Sequence, residues 1–498
     1  MAELGGRPFP PGEFPVVVLG SGPGGLQVSY SLRRLGVDHA LLSADQEPAG
    51  MFRLFPFFQR LITWTKPYAP AERGTREYQW YDWNSLLGNE PEHQALVRQF
   101  MDGTSYFPSR AEMQQGLETF ADRGGVQVRL GCRWEATRRD GDGFTVVTSD
   151  GEYRCRVLVV AVGMTSAWKP EIPGLELVPH YVDTDPPKTF ADRRVFIIGK
   201  RNSGFELADG LLPWARQIIL ASPRPAKLSI NIASTSAARA RYLQPYEDHA
   251  LGGGTYAIDA AIERVERSGQ GYRVFCKGTT VPGDLVFDVD RVIAATGFGT
   301  PLGDLPDIGV TTFYQGRLPA QTPYWESTSV PGIFFAGSIT QGSIGLKKYG
   351  RPSGSASVHG FRYNARVLAE HIARTRFGWA PAPSKLSPDR VVPYLLSEAT
   401  TAPELWHQQS YLARVVSFGD QGILDHGIQP LAHFVDTNGS DAVAVSVETD
   451  DHNDIHPSVY CRRQGRVDEH VLDGNVLHDF RTTEHHNQLT GLLEGYLG

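Results

Sequence analysis

Phe14-Pro15-Val16-Val17-Val18-Leu19-Gly20-Ser21-Gly22-Pro23-Gly24-Gly25 is the stretch from which the fold can be read. A short apolar strand runs into a G-x-G-x-x-G spacing on Gly20, Gly22 and Gly25. Residues 26–35 continue with apolar side chains at helical spacing, and 39–43 read as a second strand. The three glycines act differently. The first makes the tight turn, the second lets a pyrophosphate approach the backbone, and the third lets helix and strand pack closely. Phosphates then sit at the helix N-terminus, where unpaired N–H groups point outward. Strand, fingerprint, helix and strand in this order predict a dinucleotide site and an α/β fold.

At 498 residues the chain is too long for one ordinary core, and roughly two to four domains are expected. A net charge of −7 gives no basic footprint for nucleic acid. Residues 1–15 lack the basic and apolar regions of a secretory signal. Apolar runs such as 157–162 fall far short of the ~18–20 residues of a membrane span. The final EGYLG is no retention or lipidation signal. A cytoplasmic protein with neither nucleic-acid nor membrane partners is the expectation, with a homo-oligomer left open. Cys132, Cys155, Cys276 and Cys461 are far apart and form no C-x-x-C, which argues against structural zinc and against a redox dithiol. No metal is expected. Asp450, Asp451, His452, Asp454 and His456 show no ligand pattern and read as a solvated loop.

A second strand–turn–helix–strand unit starts at Arg194, with its turn at Gly199-Lys200-Arg201-Asn202-Ser203-Gly204. Two such units predict two Rossmann-like domains, one inserted in the other. The expected division is 1–165 and 291–376 for the outer domain and 166–290 for the inserted one. A Pro-rich linker at 377–390 and a C-terminal α+β tail at 391–498 follow. Strands are expected at 126–130 and 431–435, and a helical region at 234–249. The aromatic-rich irregular stretch 51–107 offers Trp64, Tyr68, Tyr78, Trp80, Tyr81 and Trp83 as a lining for a substrate pocket, or simply as packing.

GSGPGG at 20–25, AVG at 161–163, GKRNSG at 199–204, AATGF at 294–298, VPGIFFAGS at 330–338 and VHGFRYNAR at 358–366 occur together. This set resembles the two-dinucleotide-domain flavoproteins that include flavin-containing and N-hydroxylating monooxygenases. The resemblance spans about residues 14–375. Asp82-Trp83-Asn84-Ser85-Leu86-Leu87 and Tyr106-Phe107-Pro108 bring it nearest to the FAD-dependent oxidoreductase domain-containing proteins. It implies FAD on the first fingerprint (Gly20, Ser21, Gly22, Pro23, Gly24, Gly25) and NADPH on the second (Gly199, Arg201, Asn202, Ser203). It also implies that Val128 brackets the adenine, that Gly163 and Gly297 close strands linking the two domains, and that Gly337 and Ser338 approach the ribityl–pyrophosphate part of FAD.

Three departures from that pattern stand out. The acidic residue that normally holds the adenine ribose is replaced by Ser43, with Asp45 two residues beyond. Arg201 occupies the place of the second glycine in the second fingerprint, where it either obstructs the nicotinamide cofactor or pairs with its phosphates. Ser222 and Arg224 match the position of groups for a 2′-phosphate, or form a polar turn. The monooxygenase fingerprint F-x-G-x-x-x-H is missing, His180 reads as a linker residue, and Trp64 stands where flavin-containing monooxygenases carry asparagine.

The resemblance implies an NADPH-dependent monooxygenase acting through a C4a-(hydro)peroxyflavin, with molecular oxygen and a small-molecule amine (or a sulfur nucleophile) as substrates, in a specialised pathway. Lys66, with Thr65 beside it, is the candidate for stabilising the oxygenated flavin; a solvated loop lysine is the alternative. Two other readings stay open: an FAD oxidase or dehydrogenase reduced directly by its substrate, which Arg201 favours, and a flavoprotein with a binding or folding-assistance role.

Overall fold

The computed structural model describes residues 7–58, 60–232, 237–243, 254–346, 348–350 and 352–497. In chain order, the elements that position the site are β1 (Val16–Leu19), α1 (Pro23–Arg34), β2 (His39–Leu42), β3 (Val157–Val160), β4 (Arg194–Ile198), α2 (Asn202–Leu211), β5 (Gln217–Ser222), β6 (Thr255–Ser268), β7 (Arg291–Ala294), β8 (Ile333–Phe335) and α3 (Val358–Phe377). The chain forms two compact units: Met1–Leu54 with Thr63–Gly163 and Pro301–Gly498, and Phe55–Ile62 with Met164–Thr300.

In the first unit, β8, β3, β1 and β2 make a four-stranded parallel sheet in that order. Every residue of β1 and β3 is buried, as expected for parallel strands covered on both faces. Burying each such Val or Leu contributes about 1.5–3 kcal/mol. The core beneath includes Val17, Leu19, Leu158, Val160 and Phe335. Helix Arg110–Arg123 starts at the expected N-cap, Ser109, in a capping box with Glu112.

The same unit contains the tail as an antiparallel six-stranded sheet, Ser384–Leu386, Gly422–Pro430, Leu412–Gly419, Ala442–Thr449, Ile455–Arg463 and Arg466–Val471 in spatial order. The Pro-rich stretch is not wholly a linker, because Ser384–Leu386 pairs at the edge of this sheet. Residues 431–435, expected as a strand, begin the helix Leu431–Asp436. A single buried stripe through Leu431, Ala432 and Phe434 serves a short helix as well as a strand.

In the second unit, β6, β5, β4 and β7 are parallel neighbours, and two antiparallel strands, Gly271–Gly278 and Gly283–Val289, extend the sheet beyond β6. Residues 55–62 pack within this unit: Phe58 N–H donates to Glu206 on α2 (2.9 Å), and Phe57 N–H to Tyr181 Oη (3.0 Å). The helical region expected at 234–249 lies largely outside the described residues. Among the described residues, no helix is long and apolar enough to cross a membrane.

Candidate dinucleotide sites

The first cradle is made of backbone. Gly20 has φ +100°, and a Cβ on it would lie 2.6 Å from the Ala161 carbonyl oxygen, so the turn excludes side chains. A Cβ on Gly25 would meet the Gly20 carbonyl oxygen at 1.8 Å, and one on Gly24 would meet Gly337 Cα at 2.3 Å. Helix α1 can therefore begin directly against the turns that follow β1 and β8. Gly22 is different, because a Cβ there meets nothing within 4 Å. Packing does not require this glycine. The space beside it lies at the N-cap of α1, with Pro23 in the first helical turn, and fits a phosphate group approaching the backbone.

Around this turn, Ser21 donates its hydroxyl to Ser43 Oγ at the end of β2 (2.8 Å, both buried). Asp45 N–H bonds Ser43 Oγ at 3.3 Å. Burial pushes the Asp45 carboxyl above its ordinary value, opposed by hydrogen bonds from Ser43 and the Gly50 N–H. Ser43 and Asp45 thus form one hydrogen-bonded pair. Val128 lies beside β2, but the strand expected at 126–130 is reduced to one bridge, Arg129 to Leu42. The chain then turns, with Gly131 N–H on Asp45 O and Cys132 N–H on Ser43 O (both 2.8 Å). Gly337 has φ +78°, and its carbonyl accepts from Thr340 Oγ1 at 2.7 Å. Ser338 is half-buried beside it, and Gly163 (φ +69°) follows β3.

The second cradle repeats the first almost position for position. Gly199 has φ +128°, and its Cβ would lie 2.3 Å from Ala295 O; a Cβ on Gly204 would lie 2.2 Å from Gly199 O. Gly199 N–H bonds Ala221 O (2.8 Å) as Gly20 N–H bonds Leu42 O (2.7 Å). The exchange is at the third position, where Arg201 is the extended N-cap of α2 (φ −114°, ψ −170°). Arg201 is exposed and, among the described residues, has no ion-pair partner. Its neighbour Lys200 is 5% exposed and ion-paired with Asp259, which also accepts from Thr280 Oγ1 at 2.7 Å. Asn202 Oδ1 accepts from Arg239 N–H (3.2 Å), and Ser203 is half-buried. The Ser222 hydroxyl donates to Arg224 O (3.2 Å), and the Arg224 side chain is exposed.

Gly297 has φ +96°, and its carbonyl accepts from Trp168 N–H and His180 Nε2, both at 3.0 Å. His180 is therefore no simple linker residue. It is 1% exposed, packs against Phe298, and burial lowers its basicity. Neither His180 nor the Lys200–Asp259 pair has a signature that spacing alone could reveal.

In the first unit, residues 63–66 are pinned to Asp82-Trp83-Asn84-Ser85. Thr65 is fully buried; its hydroxyl donates to Asp82 Oδ1 (2.9 Å) and accepts from Asn84 Nδ2 (3.0 Å). The Thr65 hydroxyl, donating once and accepting once, holds this loop to the 82–85 turn. Lys66 is exposed, its Nζ 5.4 Å from the Trp64 ring centroid and 5.2 Å from that of Tyr81. From below, the buried Arg362 on α3 donates to the carbonyls of Asp82 (2.7 Å), Ser85 (2.8 Å) and Gln79 (3.2 Å). Of the six aromatics, Trp64, Trp83 and Trp80 join one ring cluster through His407, on which both Trp83 and Trp80 pack. Trp64 packs at a tilt against Trp83 and Trp83 against His359, Trp80 also meets Trp406 of the tail, and Tyr68 is 84% exposed.

Among the described residues, no cluster of three or more His, Cys, Asp or Glu side chains could hold a metal. In the acidic loop, Asp450 Oδ1 accepts the N–H groups of His452 (2.8 Å) and Asp454 (2.9 Å).

A model of the pyridine nucleotide-disulphide oxidoreductase family matches residues 17–337, which include both cradles. The chain belongs to this family. The family is one of oxidoreductases that use FAD and a pyridine nucleotide. The chain is 28% identical to FAD-dependent oxidoreductase domain-containing protein 2 of Danio rerio over 70% of this chain, and spans 57% of that protein's length. Among solved structures it is similar to a bacillithiol disulfide reductase from Staphylococcus aureus (TM-score 0.56, 16% identity, 73% of this chain and 99% of that one). It is also similar to a flavin-containing monooxygenase from Stenotrophomonas maltophilia (TM-score 0.55, 21% identity, 73% and 98%). Both likenesses are of fold.

Proposed function

We propose that the chain is an NADPH-driven flavin monooxygenase that oxygenates a nucleophilic nitrogen, or a sulfur, of a small molecule such as an amine. The observation that carries this reading is the state of its thiols. All four cysteines are free and buried. Burial raises the Cys132 thiol, pushes Cys155 and Cys276 to about 12, and pushes Cys461 to about 11. Thiol–disulfide exchange needs an accessible thiolate, so no cysteine of this chain can relay electrons to a disulfide. The acceptor must come from outside the chain, and molecular oxygen suits a fold shared with a flavin-containing monooxygenase.

On this reading FAD lies along Gly20–Gly25. Ser43 and Asp45 face its adenine ribose, Val128 its adenine, and Gly163, Gly337 and Ser338 its pyrophosphate–ribityl side. The pyridine nucleotide lies on Gly199, Asn202 and Ser203, with Ser222 and Arg224 toward a 2′-phosphate and Gly297 at the mouth of its strand. Bound FAD supplies the passage of electrons from NADPH to oxygen. Lys66 presents a cation on the loop that Thr65 holds in place. Backbone N–H groups at the start of α1 and α2 offset phosphate charge, and the buried strands behind them keep water from the cradle floor.

The test starts with purified protein. A yellow flavin spectrum should bleach under anaerobic NADPH, and admission of ¹⁸O₂ with an amine should place one labelled oxygen on the product. Bleaching by the amine alone would make the chain an oxidase. NADPH-dependent reduction of ferricyanide without any oxygen incorporation would make it a reductase. A colourless protein that takes up no FAD would remove the reading altogether.

A further inference from the structure

We propose that Arg201 is the pyrophosphate anchor of the second cradle, its guanidinium replacing the close backbone approach that a glycine provides in the first. The inference rests on the pyridine nucleotide reading of that cradle and assigns the residue that the family pattern does not contain. Three observations lead to it. First, the cradle itself is intact, because Gly199 and Gly204 meet Ala295 O and Gly199 O just as Gly20 and Gly25 meet Ala161 O and Gly20 O. These contacts, at which a methyl group would lie 2.2–2.3 Å from a carbonyl oxygen, keep the strand–turn–helix geometry that carries a dinucleotide in the first cradle.

Second, the position that changed is the one with room. A Cβ on Gly22 meets nothing within 4 Å, and Arg201 has the same extended backbone at the corresponding N-cap. A side chain there costs the fold nothing and stands in the space the phosphates would occupy. Third, the two adjacent cations are used differently. Lys200 is buried and neutralised by Asp259, whereas Arg201 is exposed and unpaired among the described residues. The first turn of α2 carries no acidic residue to compete for it. An exposed guanidinium at the start of this helix can take a phosphate through two parallel hydrogen bonds, which an ammonium cannot match.

The test is binding, measured by calorimetry on the FAD-loaded protein, with NADP⁺ and with 2′-AMP, which lacks the pyrophosphate. Arg201→Gly should weaken NADP⁺ about 10- to 100-fold and leave 2′-AMP unchanged, and Arg201→Lys should recover part of the loss. An unchanged flavin spectrum and circular dichroism would show that the variants are folded. Tighter or equal NADP⁺ binding by Arg201→Gly would make the arginine an obstruction and overturn the proposal. An equal loss of 2′-AMP would move its action to the adenosine end, which also overturns it. A wild-type chain that binds neither NADP⁺ nor NAD⁺ would overturn the nucleotide reading of the cradle, and the proposal with it.

Discussion

Gly22→Ala and Gly25→Ala test the first cradle by separating folding from cofactor binding. At Gly25 the new methyl would lie 1.8 Å from a backbone carbonyl oxygen, where ordinary contact begins at 3.4 Å. About 1.6 Å of movement would have to be found between the Gly20 turn and α1, and neither is a flexible side chain. Overpacking of this kind costs roughly 1–3 kcal/mol or more, and a clash with backbone belongs at the upper end. At Gly22 the methyl meets nothing, and φ −65° is an ordinary alanine conformation. With fewer unfolded conformations, the FAD-free Gly22→Ala chain should gain about 0.4–1 kcal/mol. Its FAD should nevertheless bind about 5- to 150-fold more weakly, because the methyl takes 1–3 kcal/mol of the phosphate's approach. Urea midpoints of FAD-free protein and flavin titration by fluorescence quenching read the two effects separately. A Gly22→Ala protein that binds FAD as tightly as wild type would refute the placement of the pyrophosphate. One destabilised without FAD as severely as Gly25→Ala would refute the claim that packing leaves this position open.

Other outcomes follow from single groups. Burial, with the positive charges of His433, Arg376 and Arg374 next, lowers the His371 imidazole from 6.5 to about 4 against Tyr324. Its contribution is therefore complete above pH 6.5 and lost as pH falls toward 4, by at most about 3 kcal/mol. His371→Phe should flatten that part of a urea-midpoint profile, and a variant with the wild-type slope would exclude this group as its source. Asp425 is buried, which favours protonation, but bonds from Arg414 and Tyr394 and the Gly427 N–H hold its carboxyl below 3.8. Asp425→Asn should cost about 3 kcal/mol at pH 7, and the difference from wild type should close as pH falls below the ordinary carboxylate value, through the lowered one. A gap that persists at pH 3 would mean that ionisation is not what stabilises. Lys66→Met should leave anaerobic bleaching by NADPH unchanged and lower product formed per NADPH oxidised about tenfold. Equal coupling in the two proteins would return Lys66 to the role of a solvated loop lysine.

The framework was legible in the sequence because its rules are local. Val16–Leu19 followed by three spaced glycines marks a strand and a turn in which Gly20 and Gly25 leave no room for a side chain, and the twin at Val195–Gly204 repeats the pattern with one exchange. Ser109 announced its helix through Glu112 three residues later. What stayed hidden depends on partners distant in the chain. His180 is fixed by a carbonyl 117 residues away, and Arg362 by carbonyls about 280 residues away. The 55–62 segment, embedded in an aromatic-rich stretch of the first block, folds with the second unit because Glu206 and Tyr181 accept its backbone N–H groups. Residues 126–130 show why alternating Val126 and Val128 mislead: both are buried, but Gly131 turns the chain before a ladder can form.

The tail takes its meaning from contacts inside the first unit. Gln408, fully buried, donates through Nε2 to Asn364 Oδ1 on α3 (2.5 Å) and to Ser355 Oγ (3.1 Å). Tyr411 donates to Pro323 O (2.8 Å), and its hydroxyl lies 2.5 Å from Ser343 Oγ. Arg76 joins Glu398 and Glu404 to the aromatic stretch, and Trp80 Nε1 donates to Thr401 O at 2.6 Å. The tail therefore braces both sides of the first cradle's surroundings: the segment after the Gly337 turn, and the Asp82-Trp83-Asn84-Ser85 turn that Arg362 holds from the other face. The loop carrying Lys66 is itself held by Thr65 on Asp82 and Asn84 and by the N–H groups of Thr65 on Tyr106 O (2.8 Å) and of Lys66 on Tyr81 O (2.7 Å), and the tail braces the neighbouring Arg76 and Trp80. The nucleotide framework is set by glycines and buried strands, whereas the turn at Asp82-Trp83-Asn84-Ser85, on which the Lys66 loop rests, depends on Arg362 from far along the sequence.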